Sequence, residues 1–224
     1  FQEAVEKLKL EKDIKIAIQG FGNAGMNMAK FLHEDGYKIV AVSDSKGATY
    51  NEKGLDIDKI VEAKEKKKKG EIKSISVCDA CEGNKDITNE QLLELDVDVL
   101  VPAALENQIT KDNADNIKAK LIIELANGPT TSEADDILRE KDAMLIPDIL
   151  ANSGGVIVSY FEWVQNKAGF YWPKEKVFKR LKERIINSFN KVYETAQKNK
   201  INLRTAAYVV GLERINKAIE SKGG

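Results

Sequence analysis

Apolar residues along this chain fall into two alternating patterns. Short continuous apolar runs at 16–18, 38–43, 97–101, 121–125 and 143–146 read as strands buried on both faces. Between them, apolar positions recur at helical spacing. Residues 2–11 place Val5, Leu8 and Leu10 on one face, and residues 56–69 do the same with Ile57, Ile60, Val61 and Ala63. Thr88 followed by Gln91 is a capping-box signal opening a helix through Leu95, and Thr130 followed by Glu133 signals another. Residues 47–54, polar and bounded by glycine, read as a loop. Strands alternating with helices predict a parallel sheet covered on both faces. Beyond Pro147 the pattern changes: 156–164 is apolar nearly all round, Pro173 opens a helix over 174–199, and 203–221 supplies the last one. These helices are too long for simple crossovers. They either close one edge of the sheet or belong partly to a neighbouring domain.

The most informative segment joins the first two strands. Ile16-Ala17-Ile18 runs into Gly20-Phe21-Gly22-Asn23-Ala24-Gly25, an amphipathic stretch follows, and the second strand closes on Asp44. Each part has a role if the ligand is a dinucleotide. Gly20 allows the tight turn, Gly22 lets a pyrophosphate approach the backbone, Gly25 lets helix and strand touch, and the helix start offers unpaired N–H groups to phosphate. Asp44, about twenty residues beyond the turn, suits the adenosine ribose hydroxyls. The fold class expected is therefore α/β: a doubly wound Rossmann-type dinucleotide-binding sheet with appended C-terminal helices. The division expected is 1–12 as an entering helix, 13–173 as the dinucleotide-binding domain and 174–224 as helices packed on it.

With 224 residues the chain can bury a core without a metal or disulfide staple. Lysine plus arginine number 35 against 36 aspartates and glutamates, so the whole chain has no strong field to attract nucleic acid or a membrane surface. No run is long enough to span a bilayer, and no leader pattern opens the sequence. Two cysteines suit a reducing compartment. Together these predict a cytoplasmic protein with neither nucleic-acid nor membrane partners.

Ligands in open parallel sheets bind beyond the carboxyl ends of the strands. Small residues Ala103 and Ala104 follow the third parallel strand, Asn127 follows the fourth, and Asn152 lies beyond the fifth. Either asparagine can both donate to and accept from a carboxamide such as that of nicotinamide, or can simply serve as a turn residue with left-handed backbone.

Four segments carry a resemblance: Gly-Phe-Gly-Asn-Ala-Gly at 20–25, Pro-Ala-Ala-Leu-Glu-Asn at 102–107, Ala-Asn-Gly-Pro-Thr-Thr at 126–131, and Asn-Ser-Gly-Gly-Val-Ile-Val-Ser-Tyr-Phe-Glu-Trp at 152–163. Over nearly its whole length the chain resembles the coenzyme-binding domain of glutamate dehydrogenase, in the glutamate/leucine/phenylalanine/valine dehydrogenase family. The resemblance implies pyrophosphate contacts at Phe21, Gly22, Asn23 and Ala24, and ribose contacts at Asp44 and Ser45. Ala103 and Ala104 would line the cleft, and Asn127 and Asn152 would hold the nicotinamide. Val156 and Ser159 would reach L-glutamate, the Ser159 hydroxyl donating to its side-chain carboxylate. The cofactor implied is NAD, since a carboxylate at 44 disfavours a 2′-phosphate; NADP stays open because Lys46, Ser43 and Ser45 could receive one.

The family's catalytic lysine and aspartate have no counterpart here. The adjacent glycine pairs, Gly154-Gly155 and Gly223-Gly224, are not followed by a lysine two or three residues later. The resemblance thus implies a missing N-terminal substrate domain, no catalytic residue in this chain, and cofactor binding without turnover of glutamate to 2-oxoglutarate. It also implies a homohexameric parent enzyme, with the isolated chain possibly monomeric. A stand-alone cofactor-binding or regulatory module is the alternative. Cys78 and Cys81 read as free thiols in a variable loop, not as a metal or redox pair, and no metal is expected. His33 reads as a solvent-facing helix residue, and the aromatics at 170–172 as a loop packed under the C-terminal helices.

Overall fold

The computed structural model describes residues 1–69, 76–80 and 83–222. The chain divides into two compact units, Phe1–Leu145 and Ile146–Gly224. This boundary falls where the sequence pattern changes near Pro147.

In the first unit, helix α1 (Gln2–Leu8) ends at Lys9, whose left-handed backbone, φ 53°, closes the last turn. Strand β1 (Lys15–Gln19) leads through the glycine turn into α2 (Asn23–Glu34) and β2 (Lys38–Asp44). Then come β3 (Gly47–Tyr50), α3 (Ile57–Lys68), β4 (Lys85–Ile87), α4 (Asn89–Leu93), β5 (Val99–Pro102), β6 (Leu121–Ile123), α5 (Ser132–Glu140) and β7 (Met144–Ile146). The strands form one seven-stranded sheet in the order β4-β3-β2-β1-β5-β6-β7. β1 is paired in parallel with β2 on one side and β5 on the other. Strand order therefore reverses beside β1, at the switch point where a doubly wound sheet opens a crevice.

Ile16, Ala17 and Ile18 are fully buried, as a central strand covered on both faces requires. Ala17 joins Leu92 and Leu93 of α4, Leu100 and Ile122 in one core layer. On the opposite face the Ile18 side chain lies under Gly25 of α2. The sheet is doubly wound.

Residues 47–54 are not all loop. Gly47–Tyr50 pairs antiparallel with β2, Asp44 opposite Gly47, and β4 pairs antiparallel with β3, so the sheet is mixed instead of wholly parallel. Ala48 and Thr49 are buried because strands flank them on both sides, a tertiary cause that four residues without apolar alternation do not announce.

At α4 the capping box forms as predicted. The Gln91 backbone N–H donates to Thr88 Oγ1 at 3.2 Å and the Thr88 N–H to Gln91 Oε1 at 3.0 Å. At α5 the cap is Thr131, not Thr130: its Oγ1 accepts from the Ala134 N–H at 3.3 Å, while the Thr130 hydroxyl is buried without a partner. Thr131→Ala is expected to cost about 1 kcal/mol in urea unfolding. Thr130→Val, which removes the orphaned hydroxyl, should be neutral or stabilising.

The second unit is helical: α6 (Asp148–Ala151), α7 (Gly154–Ala168), α8 (Lys174–Asn199) and α9 (Leu203–Lys222). α8 packs against α6, α7 and α9, and Arg204 of α9 reaches Asp148 of α6 at 3.4 Å. Trp172 lies against Phe161 with the Arg180 guanidinium 4.0 Å above its ring. Phe170 and Tyr171, expected to pack beneath these helices, are 64% and 68% exposed. Among the described residues no helix is long and apolar enough to cross a membrane.

Candidate cofactor site

At the switch point β1 and β5 end side by side. The Ala103 N–H donates to the Gln19 carbonyl at 2.7 Å, which brings Gly20 against the 103–104 backbone. Gly20 has φ +94°, and a Cβ there would stand 2.8 Å from Ala103 and Ala104 backbone atoms. Both the conformation and the crowding require glycine. A Cβ on Gly25 would meet the Gly20 carbonyl oxygen at 1.9 Å, so the helix start and the turn are in backbone contact. A Cβ on Gly22 would meet nothing within 4 Å. Of the three fingerprint glycines, then, two are explained by packing and one faces open space.

That space is a cleft of about 610 Å³. Of the residues singled out from sequence, Gly20, Phe21, Gly22, Asp44, Ser45, Ala103 and Ala104 line it together. Asn23, Ala24 and Gly25 form the first turn of α2 directly behind. Gly22 caps that helix in extended conformation with no side-chain acceptor, leaving the first N–H groups free for an anion. Ser43 also lines the cleft, but it is fully buried and its Oγ accepts from the Gly20 N–H at 3.1 Å, so it ties β2 to the glycine turn.

Asp44 is more heavily engaged than a ribose-binding carboxylate need be. The ammonium of Lys64, from α3, bonds its Oδ2, and their side chains are only 12% and 13% exposed. The Val77 N–H donates to the same oxygen at 3.1 Å and the Lys46 N–H to Oδ1 at 2.9 Å. Burial pushes the Asp44 carboxyl upward. Lys64 and the two backbone donors outweigh it, and the group titrates below its ordinary value of 3.8.

Sequence reasoning missed Gln19, Asn89, Glu90, Leu105 and Gln108, which complete the cleft. Gln19 is 1% exposed; its Nε2 donates to Gln108 Oε1 at 2.9 Å, while its own Oε1 is buried without a partner. A buried acceptor left unmet in a cleft wall suits a ligand donor. Asn89 Nδ2 donates to the Asp44 carbonyl at 3.1 Å; its signal in the sequence was the capping box beside it. A free helix start, an open position at Gly22, a carboxylate and an unmet acceptor around one cleft all fit a dinucleotide.

The other predicted residues are not in the lining of this cleft. Asn127 is exposed in the segment after β6, and Asn152, Val156 and Ser159 belong to the second unit. Neither asparagine is among the residues of positive φ, so left-handed backbone does not explain them. Val156 and Ser159, three apart on α7, share a face; both are exposed, and Ser159 has no described hydrogen-bond partner. Cys78 is half-buried, and burial pushes its thiol up, away from the reactive thiolate. Cys81 lies outside the described residues. His33 is partly exposed on α2, 3.7 Å from Asp58. No group of metal-ligating side chains forms among the described residues.

Comparison with known proteins agrees with this geometry. The chain is 52% identical over 210 residues to the NADP-specific glutamate dehydrogenase of Synechocystis, covering 93% of this chain and 49% of that protein. It is 47% identical over 223 residues to a cryptic catabolic NAD-specific glutamate dehydrogenase of Bacillus subtilis, covering 99% and 50%. It thus spans about half the length of these curated relatives. Among solved structures it superposes on a hetero-hexameric glutamate dehydrogenase of Thermus thermophilus with a TM-score of 0.88 at 29% identity, covering all of this chain and 51% of that one. Residues 1–223 match the family described as Glutamate/Leucine/Phenylalanine/Valine dehydrogenase, and to that family the chain belongs.

Proposed function

We propose that this chain is the coenzyme-binding part of an NAD-dependent glutamate dehydrogenase. The observation that carries the reading is the cleft at the β1/β5 switch point, where an open Gly22, the free start of α2 and Asp44 stand in the order a dinucleotide presents its pyrophosphate and ribose. When bound, the nicotinamide would accept hydride from the amino-acid α-carbon. The chain's part is to hold and orient: α2 and the glycine turn for the pyrophosphate, Asp44 and Ser45 for the ribose, Asn127 and Asn152 for the carboxamide. In the same reading Val156 and Ser159 meet glutamate. None of the 224 residues takes the role of the family's catalytic lysine and aspartate, so the chain alone is expected to bind cofactor and give no glutamate-dependent NAD reduction. Turnover at an ordinary enzymic rate would refute that division of labour. A second, N-terminal domain and a hexameric parent belong to the same proposal.

NADP is the second reading, and Lys64 favours it. Its ammonium stands on the carboxylate that would meet the ribose, and it would draw in a 2′-phosphate. Calorimetric titration of the chain with NAD and with NADP tests both readings, and binding of neither would overturn the site. Lys64→Met, which removes the positive charge and leaves the Asp44 carboxylate with its two backbone donors alone, is expected to shift the preference toward NAD by about tenfold. An unchanged ratio would remove Lys64 from cofactor selection.

A further inference from the structure

The second unit contains a cavity of about 530 Å³ of its own, bounded by α6, α7, α8 and α9. Its walls are apolar where Leu150, Ile157, Val192 and Val210 face inward, and two arginines, Arg184 and Arg214, stand in its lining on α8 and α9. Neither makes an ion pair with any described residue. Arg184 is steadied by aromatic faces, its guanidinium 5.7 Å from the ring centres of Tyr160 and Phe161. The whole unit is basic, with twice as many lysines and arginines as carboxylate side chains, although the complete chain is nearly neutral.

Gly211 adds an independent observation. It lines the same cavity in the middle of α9, where glycine is less favourable than alanine. Its φ is not left-handed and a Cβ there would meet nothing within 4 Å, so neither strain nor crowding calls for glycine. What its missing side chain leaves is room.

We propose that this cavity binds a small organic carboxylate with an apolar body. The carboxylate lies between Arg184 and Arg214, where planar guanidinium groups offer paired donors, and the body lies against the aliphatic walls. A recess of this size, with mainly apolar walls and two exposed arginines in its lining, has the character of a small-molecule site. Its lining comes from the second unit alone, and its occupancy does not depend on the function proposed above.

Octanoate is the probe, titrated into the 224-residue chain by calorimetry with amide resonances of Ser153 and Gly211 followed by NMR. Acetate supplies the charge without the body, and octylammonium the body with the opposite charge. Octanoate is expected to bind at least tenfold more tightly than either and to shift those resonances. Arg214→Gln and Arg184→Gln should each weaken it about tenfold. Gly211→Leu keeps both arginines but fills the space; it should abolish binding while leaving the urea midpoint unchanged or higher. Octanoate binding no tighter than acetate would mean a diffuse basic surface and overturn the proposal. So would undiminished binding in Gly211→Leu, or resonance shifts confined to the glycine-turn cleft.

Discussion

Gly25→Ala is expected to break the first unit's architecture at its centre. The added methyl group would stand 1.9 Å from the Gly20 carbonyl oxygen and 3.1 Å from its carbon, both backbone atoms with nowhere to turn. Either α2 lifts from β1 or the glycine turn reforms, at a cost of about 3–4 kcal/mol in urea unfolding, the upper end of overpacking penalties. Dinucleotide affinity should fall with it. Gly22→Ser makes the informative contrast. Serine caps a helix as well as glycine does, and the position has an extended backbone and open surroundings, so stability should change by less than about 0.5 kcal/mol. Its side chain nevertheless enters the space assigned to the pyrophosphate, and affinity should fall at least tenfold. Unchanged stability of Gly25→Ala would mean that the helix start does not rest on the turn. Undiminished affinity of Gly22→Ser would move the pyrophosphate elsewhere.

The second large effect is expected at Asp44. Asp44→Ala strips the partner from an ammonium that is nearly buried and from the Val77 N–H, and the cost should be about 3 kcal/mol at neutral pH, at the low end for a broken buried pair. The pH dependence has a definite sign. Because the folded carboxyl titrates below 3.8, the unfolded chain binds the proton more readily. Asp44 therefore contributes its full stabilisation above the ordinary carboxylate range and loses it as pH falls through that range toward the folded value. Comparing urea midpoints at neutral pH and at about pH 3 should show the gap between the parent and Asp44→Asn narrowing in acid. A gap independent of pH would mean that the Asp44 charge contributes nothing to the fold. A double-mutant cycle with Lys64→Met would apportion the pair.

The central strands, the glycine turn and the long C-terminal helices were legible because their signals are local: continuous apolar runs, glycines at fixed offsets, and helical periodicity that sequence carries within one element. What escaped depends on elements meeting. β3 is a strand because β2 and β4 flank it, and its four residues contain little to say so. Lys64 was indistinguishable from the basic run after it, since its importance comes from where α3 sets it against the end of β2. Gln19 and Gln108 pair across 89 residues and look in sequence like ordinary polar positions. The slip from Thr130 to Thr131 has a simpler cause: two threonines in succession offer the same cap, and backbone geometry chooses between them.

The hairpin that closes the sheet beside β2 has a further consequence. Without it, the long β2 would present a free row of backbone donors and acceptors to solvent, a template on which another chain could add a strand. Instead the outermost strands of the sheet, β4 and β7, are three residues each, and β4 carries Lys85 and Asp86 exposed. So short and charged a margin offers little to a neighbouring β-segment, which guards the chain against edge-to-edge aggregation.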